Sequence, residues 1–523
     1  MSEQNSHLTE TERNTLDRPT FYPSFIILIL FIGIGILNID HFKQILDGMQ
    51  AWLTQYWGWM SVVSSLLIVF IAFGIAFSPI GSIRLGGKDA KPNFTTWQWF
   101  SITLCTGIGI GILFWGIGEP MYHFMSPPKV LGLEPGSRQA GIFAISQSVL
   151  HWTIAQYCIY AMCGLAFALA SYNLARPLSI AEGLRSVMPE RFFEPSKHII
   201  HGLCIFSLCG VVASSMGAGL MQIGSGITYL TGIEGSPLMW GCIGAVVIGL
   251  YTGSSVKGLR KGMQFLSSLC TKMFIVLMFF IFFVGPTLFI LSMGTEAFGY
   301  FIGHFFVNSS LLNTMQPEDA WSANWLVVFM LAFFGYGAPI GLFLARLGRG
   351  RTVRQFLLVN ILAPTIFVFL WINTFGSTAI HAQWTGLLDI WATVQDKGLE
   401  SSVFMVFSQC PLPMVTIAFF IVLTIISFAT LADPMTAVLA TISTKGLSIA
   451  DEPPTRLKLV WGISTGMVAY LLVISGGLDG LRCLFAVGGF FMMFLTWGLC
   501  IAVFKDGMTL LSKTGNVINR VAQ

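Results

Sequence analysis

The sequence predicts an all-α integral membrane protein of twelve transmembrane helices, in which two five-helix blocks of inverted topology follow two extra N-terminal helices. Three observations carry that expectation. The 523-residue chain is 54% hydrophobic and only 10% charged, a composition far from that of soluble domains. Apolar runs of about 20 residues, the length that crosses a hydrocarbon core of about 30 Å, recur from Tyr22 almost to the C-terminus. Two glycine-interrupted runs stand five spans apart, and an odd separation inverts the second block relative to the first.

Residues 1–21 are polar, with Glu3, Glu10, Arg13, Asp17 and Arg18 ahead of the first apolar run. They show no cleavable signal pattern and are expected as a short cytoplasmic tail. Spans are predicted at 22–38, 58–80, 98–125, 141–172, 198–231, 237–253, 263–293, 322–346, 354–375, 411–440, 457–475 and 482–505. Spans four, five and ten exceed the minimum length, so they tilt, bend or extend past the bilayer. Residues 22–97 hold the two helices outside the repeats, 98–293 the first five-helix block and 322–505 the second, with 506–523 a short cytoplasmic tail.

Lys and Arg gather in the even loops: Arg84, Lys88 and Lys91; Arg176, Arg185, Arg191 and Lys197; Lys257, Arg260 and Lys261; Arg349, Arg351 and Arg354; Lys445 and Arg456. The odd loops are nearly bare, which sets both termini on the cytoplasmic side. Residues 294–321 carry "EAFGYFIGHFF" and no Lys or Arg. They fit an amphipathic helix on the periplasmic or extracellular surface, or equally a packed lid. The ten cysteines are scattered without CxxC pairs and read as small buried hydrophobes, not as a metal set.

Span three contains "CTGIGIGILFWGIGEP", with Gly107, Gly109 and Gly111 at alternate positions and an acid at Glu119. Each glycine costs a helix interior roughly 1 kcal/mol, so something other than helix stability favours them. Span eight contains "FFGYGAPIGLFLAR", with Gly335, Gly337, Pro339 and Gly341. Broken helices at matching places in two halves point to a midplane substrate site, because unwound backbone inside a membrane is tolerated only where it lines a cavity. The competing reading is close helix packing across small residues. Alternate spacing argues against it, since it turns successive glycines to different sides.

Span four carries "HWTIAQYCIYA", placing Trp152, Tyr157 and Tyr160 within about two turns. Aromatic faces attract a quaternary ammonium by about 0.5–2 kcal/mol each. Together, "GIGIG…FWGIGEP", "HWTIAQYCIY", "KGMQFLS…FFVGPT" and "GLFLARLGRGRTVRQF" resemble the betaine/carnitine/choline transporter family over nearly the whole chain. The resemblance implies a LeuT-like inverted five-plus-five core and a bacterial cytoplasmic (inner) membrane location. It also implies a homotrimer and an aromatic substrate box drawn from spans four and eight. That box maps onto Trp152, Tyr157 and Tyr160, with tyrosine at 157 where tryptophan is common. In span eight the tryptophan-rich signature is replaced by "MLAFFGYG", leaving Phe333 and Tyr336. Gly107, Gly109 and Gly111 complete the expected substrate site.

Coupling departs further from the family. Sodium-coupled members hold an ion between the unwound part of span three, near Thr106, and two adjacent hydroxyls of span ten. Here "ATLADP" keeps Thr430 but has Leu431 for the second, and an aliphatic side chain cannot coordinate sodium. Lys272 lies inside span seven, where a lysine costs about 2.5–3.5 kcal/mol. It reads either as a fixed or titrating charge replacing the ion, as in sodium-independent relatives, or as a lysine snorkelling to the interface. Glu119 and Asp433 are intramembrane acids beside prolines, read as helix-break caps or proton relays. The expectation is a sodium-independent secondary transporter, working by antiport or by proton coupling, of a small zwitterionic or quaternary-ammonium solute resembling betaine, carnitine or choline. The alternative is a sodium-coupled symporter of a related non-quaternary zwitterion.

No cofactor or catalytic residue is expected, and the only partners are the solute and membrane lipid, with no nucleic acid. The coupling ion is left between proton and sodium. A channel would show a pore-loop signature, a sensor a soluble domain, and a membrane enzyme clustered histidines; the eight histidines are dispersed in sequence.

Overall fold

A computed structural model describes residues 15–257, 262–316 and 318–521. Most of the expected N-terminal tail, and Arg260 and Lys261 of loop six, lie outside those residues. The described chain is helical almost throughout. Helices α1 (Arg18–Leu37) and α2 (Ile39–Phe77) precede the bent pair α3 (Thr96–Ile108) and α4 (Gly111–Met125). Then come α5 (Arg138–His151), α6 (Ile154–Ala168), the short α7 (Ile180–Gly183), α8 (Glu190–Thr231), α9 (Pro237–Lys257), α10 (Gln264–Val284) and α11 (Thr287–Ser309). The second half holds α12 (Val328–Leu347), α13 (Val353–Trp384), the short α14 (Ile390–Lys397) and α15 (Ser402–Phe407), α16 (Pro413–Ile442) and α17 (Thr455–Val521).

Among the described residues, ten helical stretches are long and apolar enough to cross a membrane, or eleven if α3 and α4, bent by 56°, count as one span. The predicted sixth span coincides with α9, whose apolar part, Pro237–Tyr251, is shorter; the count of twelve therefore rests on including it. Last of all, α17 carries two apolar stretches, Thr455–Ile474 and Arg482–Lys513. The chain expected as a loop before span two is already helical from Ile39, and the expected C-terminal tail continues α17. Span seven ends early, because Gly285 and Pro286 separate α10 from α11 and proline cannot continue the ladder.

Burial sorts the helices. The apolar window ending α12 is fully buried and that of Arg138–Asn173 is 94% buried, against 33% for α1 and 39% for α10. The former are therefore central, and the latter present apolar side chains such as Leu37, Phe265 and Phe283 outward, as lipid-facing helices do. Two capping boxes, Thr95 with Gln98 and Thr352 with Gln355, fix the starts of α3 and α13. Eight of the ten cysteines are buried, while Cys242 is exposed and Cys410 half-buried.

The glycines of span eight do not break a helix. The helix α12 runs unbroken through Pro339. A Cβ on Gly341 would lie 2.6 Å from Cys163 Cβ and the Gly164 nitrogen, and one on Gly337 2.8 Å from Ile159. They let α12 pack against the backbone of α6, so close packing is the correct reading there. A break that the sequence did not announce lies in span four instead: α5 ends at His151, and Trp152 and Thr153 interrupt the run before α6.

Candidate solute site at the helix breaks

The bend between α3 and α4 sits at Gly109, whose φ of +41° is in the left-handed region, a conformation that glycine adopts without a Cβ clash. The three alternate glycines face three different neighbours. A Cβ on Gly107 would stand 3.3 Å from the Tyr157 ring, on Gly109 3.0 Å from Leu431, and on Gly111 2.7 Å from Trp152. Gly111→Ala should therefore displace the indole and lower uptake about tenfold, the scale of a 1–3 kcal/mol overpacking penalty. Gly33→Ala, with nothing within 4 Å of its Cβ, serves as the neutral control in the same assay.

A narrow cavity opens at this bend. Trp152 and Tyr160 line it from one side, Phe329, Phe333 and Tyr336 of α12 from another, and Gly107 and Gly111 form its floor. Trp152 packs edge-on to Phe329 and Phe333, with centroids 5.3 and 5.7 Å away, and Phe329 stacks on Phe333. Tyr336 is anchored outside the aromatic group, its hydroxyl donating to the Val211 carbonyl and meeting Ser215 Oγ, both at 2.7 Å. Thr106 lines the cavity with a buried hydroxyl that finds no partner among the described residues.

Tyr157 is placed differently from the expectation. It is buried against Gly107 and is not among the cavity-lining residues. One residue earlier on α6, Gln156 lines the cavity, because a single helical step turns a side chain by about 100°. Phe329, Gln156, Trp115 and Ser215 are among the lining groups that sequence reasoning missed; Phe329 stands one turn before Phe333, a spacing that could have shown it.

Behind Trp152 lies a buried polar cluster. Its indole Nε1–H donates to Glu119 Oε2 at 2.7 Å. The other carboxylate oxygen meets His151 Nδ1 at 2.6 Å and His123 Nε2 at 3.4 Å. The tautomers follow from the outer partners. Trp321 Nε1 can only donate, and it does so to His123 Nδ1 at 3.2 Å, which puts the His123 proton on Nε2, toward Glu119. The Gln147 amide nitrogen donates to His151 Nε2 at 2.9 Å, which puts the His151 proton on Nδ1, also toward Glu119. Three donors thus converge on one carboxylate, and all three ionisable residues are fully buried. The ligand atoms of Glu119, His123 and His151 lie within 4.8 Å of one another, but with both facing ring nitrogens carrying protons the group is satisfied as a hydrogen-bond cluster. Two of the histidines dispersed in sequence, His123 and His151, are therefore gathered in space. The Arg482 guanidinium lies 4.8 Å from the Trp325 ring centroid, and Trp325 in turn packs on His123. Glu119 lies inside continuous α4, and Asp433 inside continuous α16, so neither caps a helix break.

Around the bend, Ser427 Oγ donates to the Gly109 carbonyl at 3.0 Å and Thr430 Oγ1 to the Ser427 carbonyl at 2.8 Å. The side chain of Leu431 fills the space against Gly109. From α10, Thr271 meets Cys105 Sγ at 3.3 Å, whereas the next residue, Lys272, is exposed. The expected charge beside the bend is therefore not supplied by Lys272, which α10 turns outward. Asp433 also stands away from the aromatic cavity. It lines a second, small one together with Arg346, Glu452 and Lys458, where Lys458 pairs with Glu452 at 3.1 Å.

Residues 19–510 match the family described as betaine/carnitine/choline family transporter. A probable glycine betaine transporter of Desulfitobacterium hafniense is 29% identical over 487 residues, covering 92% of this chain and 96% of that protein. The glycine betaine transporter OpuD of Bacillus subtilis is 31% identical over 450 residues, 86% of each chain. An ectoine/hydroxyectoine transporter of Virgibacillus pantothenticus is 26% identical over 470 residues, 90% of this chain and 92% of that one. With the family matched over nearly its whole length, the chain belongs to the betaine/carnitine/choline transporters, a family of membrane transporters and not of enzymes.

Proposed function

We propose that the protein is a secondary transporter of a small zwitterionic or quaternary-ammonium solute, working by alternating access around the cavity at the α3–α4 bend. The observation that carries this reading is the convergence of Trp152, Tyr160, Phe329 and Phe333 on a cavity floored by Gly107 and Gly111. Each aromatic face contributes about 0.5–2 kcal/mol toward a cation, at the upper end where water is excluded. The N-terminus of α4 begins at Gly111, beside the cavity; the Leu113 N–H already donates to the Ile110 carbonyl, so the carboxylate of a zwitterion would be met by the N–H groups of Gly111 and Ile112 at the head of the helix. Cation and anion ends of the solute are then read by different walls. Phe333→Ala should raise the Kd of a betaine-type solute about fivefold, the scale of about 1 kcal/mol for one phenylalanine face, measured by tryptophan fluorescence titration; an unchanged Kd contradicts the cage.

Transport is sodium-independent in this reading. Leu431 fills the position beside Gly109 that a coordinating hydroxyl would need, and hydrocarbon offers no lone pair to a hard cation. Thr430 and Ser427 favour the sodium-coupled alternative, since both hydroxyls remain close to the bend. Uptake into liposomes with sodium replaced by potassium decides between them: the expected initial rate is essentially unchanged, and strict sodium dependence contradicts the proposal. Lys272→Ala should leave uptake unaltered, because that side chain faces outward.

A further inference from the structure

We propose that Gln156 makes the site select solutes whose cationic centre carries an N–H, so that a tertiary or secondary ammonium zwitterion is preferred over its fully methylated counterpart. The inference rests on the aromatic-cavity reading above and narrows its substrate class.

Gln156 is 1% exposed and lines the cavity together with Trp152, Tyr160 and Phe333. Its amide orientation is set by its neighbours. Nε2 donates to the Gly107 carbonyl at 3.2 Å and to the Tyr160 hydroxyl at 3.3 Å. Turning the amide over would place Oε1 against the Gly107 carbonyl oxygen, acceptor against acceptor. With the orientation so fixed, Oε1 is a buried acceptor that has no partner among the described residues. Buried polar atoms are nearly always paired, and one left bare inside a solute cavity calls for a donor from the solute.

The neighbours of Gln156 are the cation-binding rings, so the donor it calls for belongs at the cationic end. A trimethylammonium group offers only methyl carbons there; it satisfies the aromatic faces but covers Oε1 without bonding it. A protonated dimethylammonium group keeps two methyls for the rings and turns its N–H to Oε1, a charge-assisted bond and hence the stronger kind. The buried hydroxyl of Thr106, also unpartnered and also lining the cavity, adds a second polar group that a purely hydrocarbon-faced cation leaves unused.

The test uses two matched pairs, N,N-dimethylglycine against glycine betaine and N-methylproline against N,N-dimethylproline, as competitors for counterflow in liposomes containing the full-length protein at neutral pH. The readout is the ratio of half-inhibitory concentrations within each pair, so a change in absolute rate does not decide the result. In wild type the N–H member should compete about tenfold better. Gln156→Leu should bring the ratio to unity or invert it, and Gln156→Glu, which keeps an acceptor at that position, should retain the N–H preference. A wild-type preference for the quaternary member overturns the proposal while leaving the aromatic cavity standing, as does a ratio that Gln156→Leu does not move. If Gln156→Leu does not fold, the wild-type ratio alone decides. Failure of all four compounds to compete overturns both this proposal and the reading on which it rests.

Discussion

Trp152→Ala should weaken solute binding by about 2 kcal/mol, some thirtyfold in Kd, as expected when a desolvated tryptophan face is removed from a cation. The loss should exceed that of Phe333→Ala, because tryptophan has the strongest face for a cation and because Trp152 lies where three constraints meet. Its ring packs on Phe329 and Phe333, its edge closes on Gly111, and its N–H is held by Glu119. Trp152→Phe separates these contributions: it keeps an aromatic face but gives up the hydrogen bond, so its Kd should fall between wild type and alanine. Isothermal titration in detergent measures all three. Equal affinity in wild type and Trp152→Ala removes Trp152 from the cage.

Glu119→Ala should be the most damaging single change, costing about 3–5 kcal/mol of stability, the scale on which removing one partner from a buried ionic hydrogen-bond cluster is felt. It leaves the indole N–H of Trp152 and the facing N–H groups of His123 and His151 without an acceptor in a fully buried site. Glu119→Gln is the sharper probe. It is nearly the same shape, but its amide nitrogen must face at least one of those donors, so either Trp152 or a histidine loses its partner. Thermal unfolding in detergent should show a large drop for alanine and a smaller one for glutamine, and both variants should lose solute affinity through the displaced Trp152. A glutamine variant with wild-type stability and affinity contradicts the role given to this cluster.

How much of this was legible in the sequence depended on whether a pattern had one physical cause or two. The bend at Gly109 was legible because glycines at alternate positions fit no packing face, and the positive φ there gives the reason. Gly335, Gly337 and Gly341 have the same appearance but a different cause, close approach to α8 at Gly335 and to α6 at Gly337 and Gly341, and nothing in one sequence separates the two. Trp152, Tyr160 and Phe333 were legible through the resemblance of their motifs. Tyr157 and Lys272 were misplaced for one shared reason, that a step of one residue on a helix turns the side chain by about 100°: Gln156 lines the cavity where Tyr157 was expected, and Thr271 points inward where Lys272 was. The cluster of Glu119, His123 and His151 was illegible because α4 and α5 bring together residues 32 positions apart, a pairing that only the fold creates.

Counterflow tests the central claim most directly. Liposomes containing the protein are loaded with unlabelled dimethylglycine or glycine betaine and diluted into labelled solute, with no ion gradient and with sodium absent. A carrier with a single solute site between its helix halves should show transient, saturable accumulation of label that Trp152→Ala reduces at low solute concentration and that Lys272→Ala leaves intact. Equilibration without overshoot, or an overshoot that Trp152→Ala does not alter, would contradict the account.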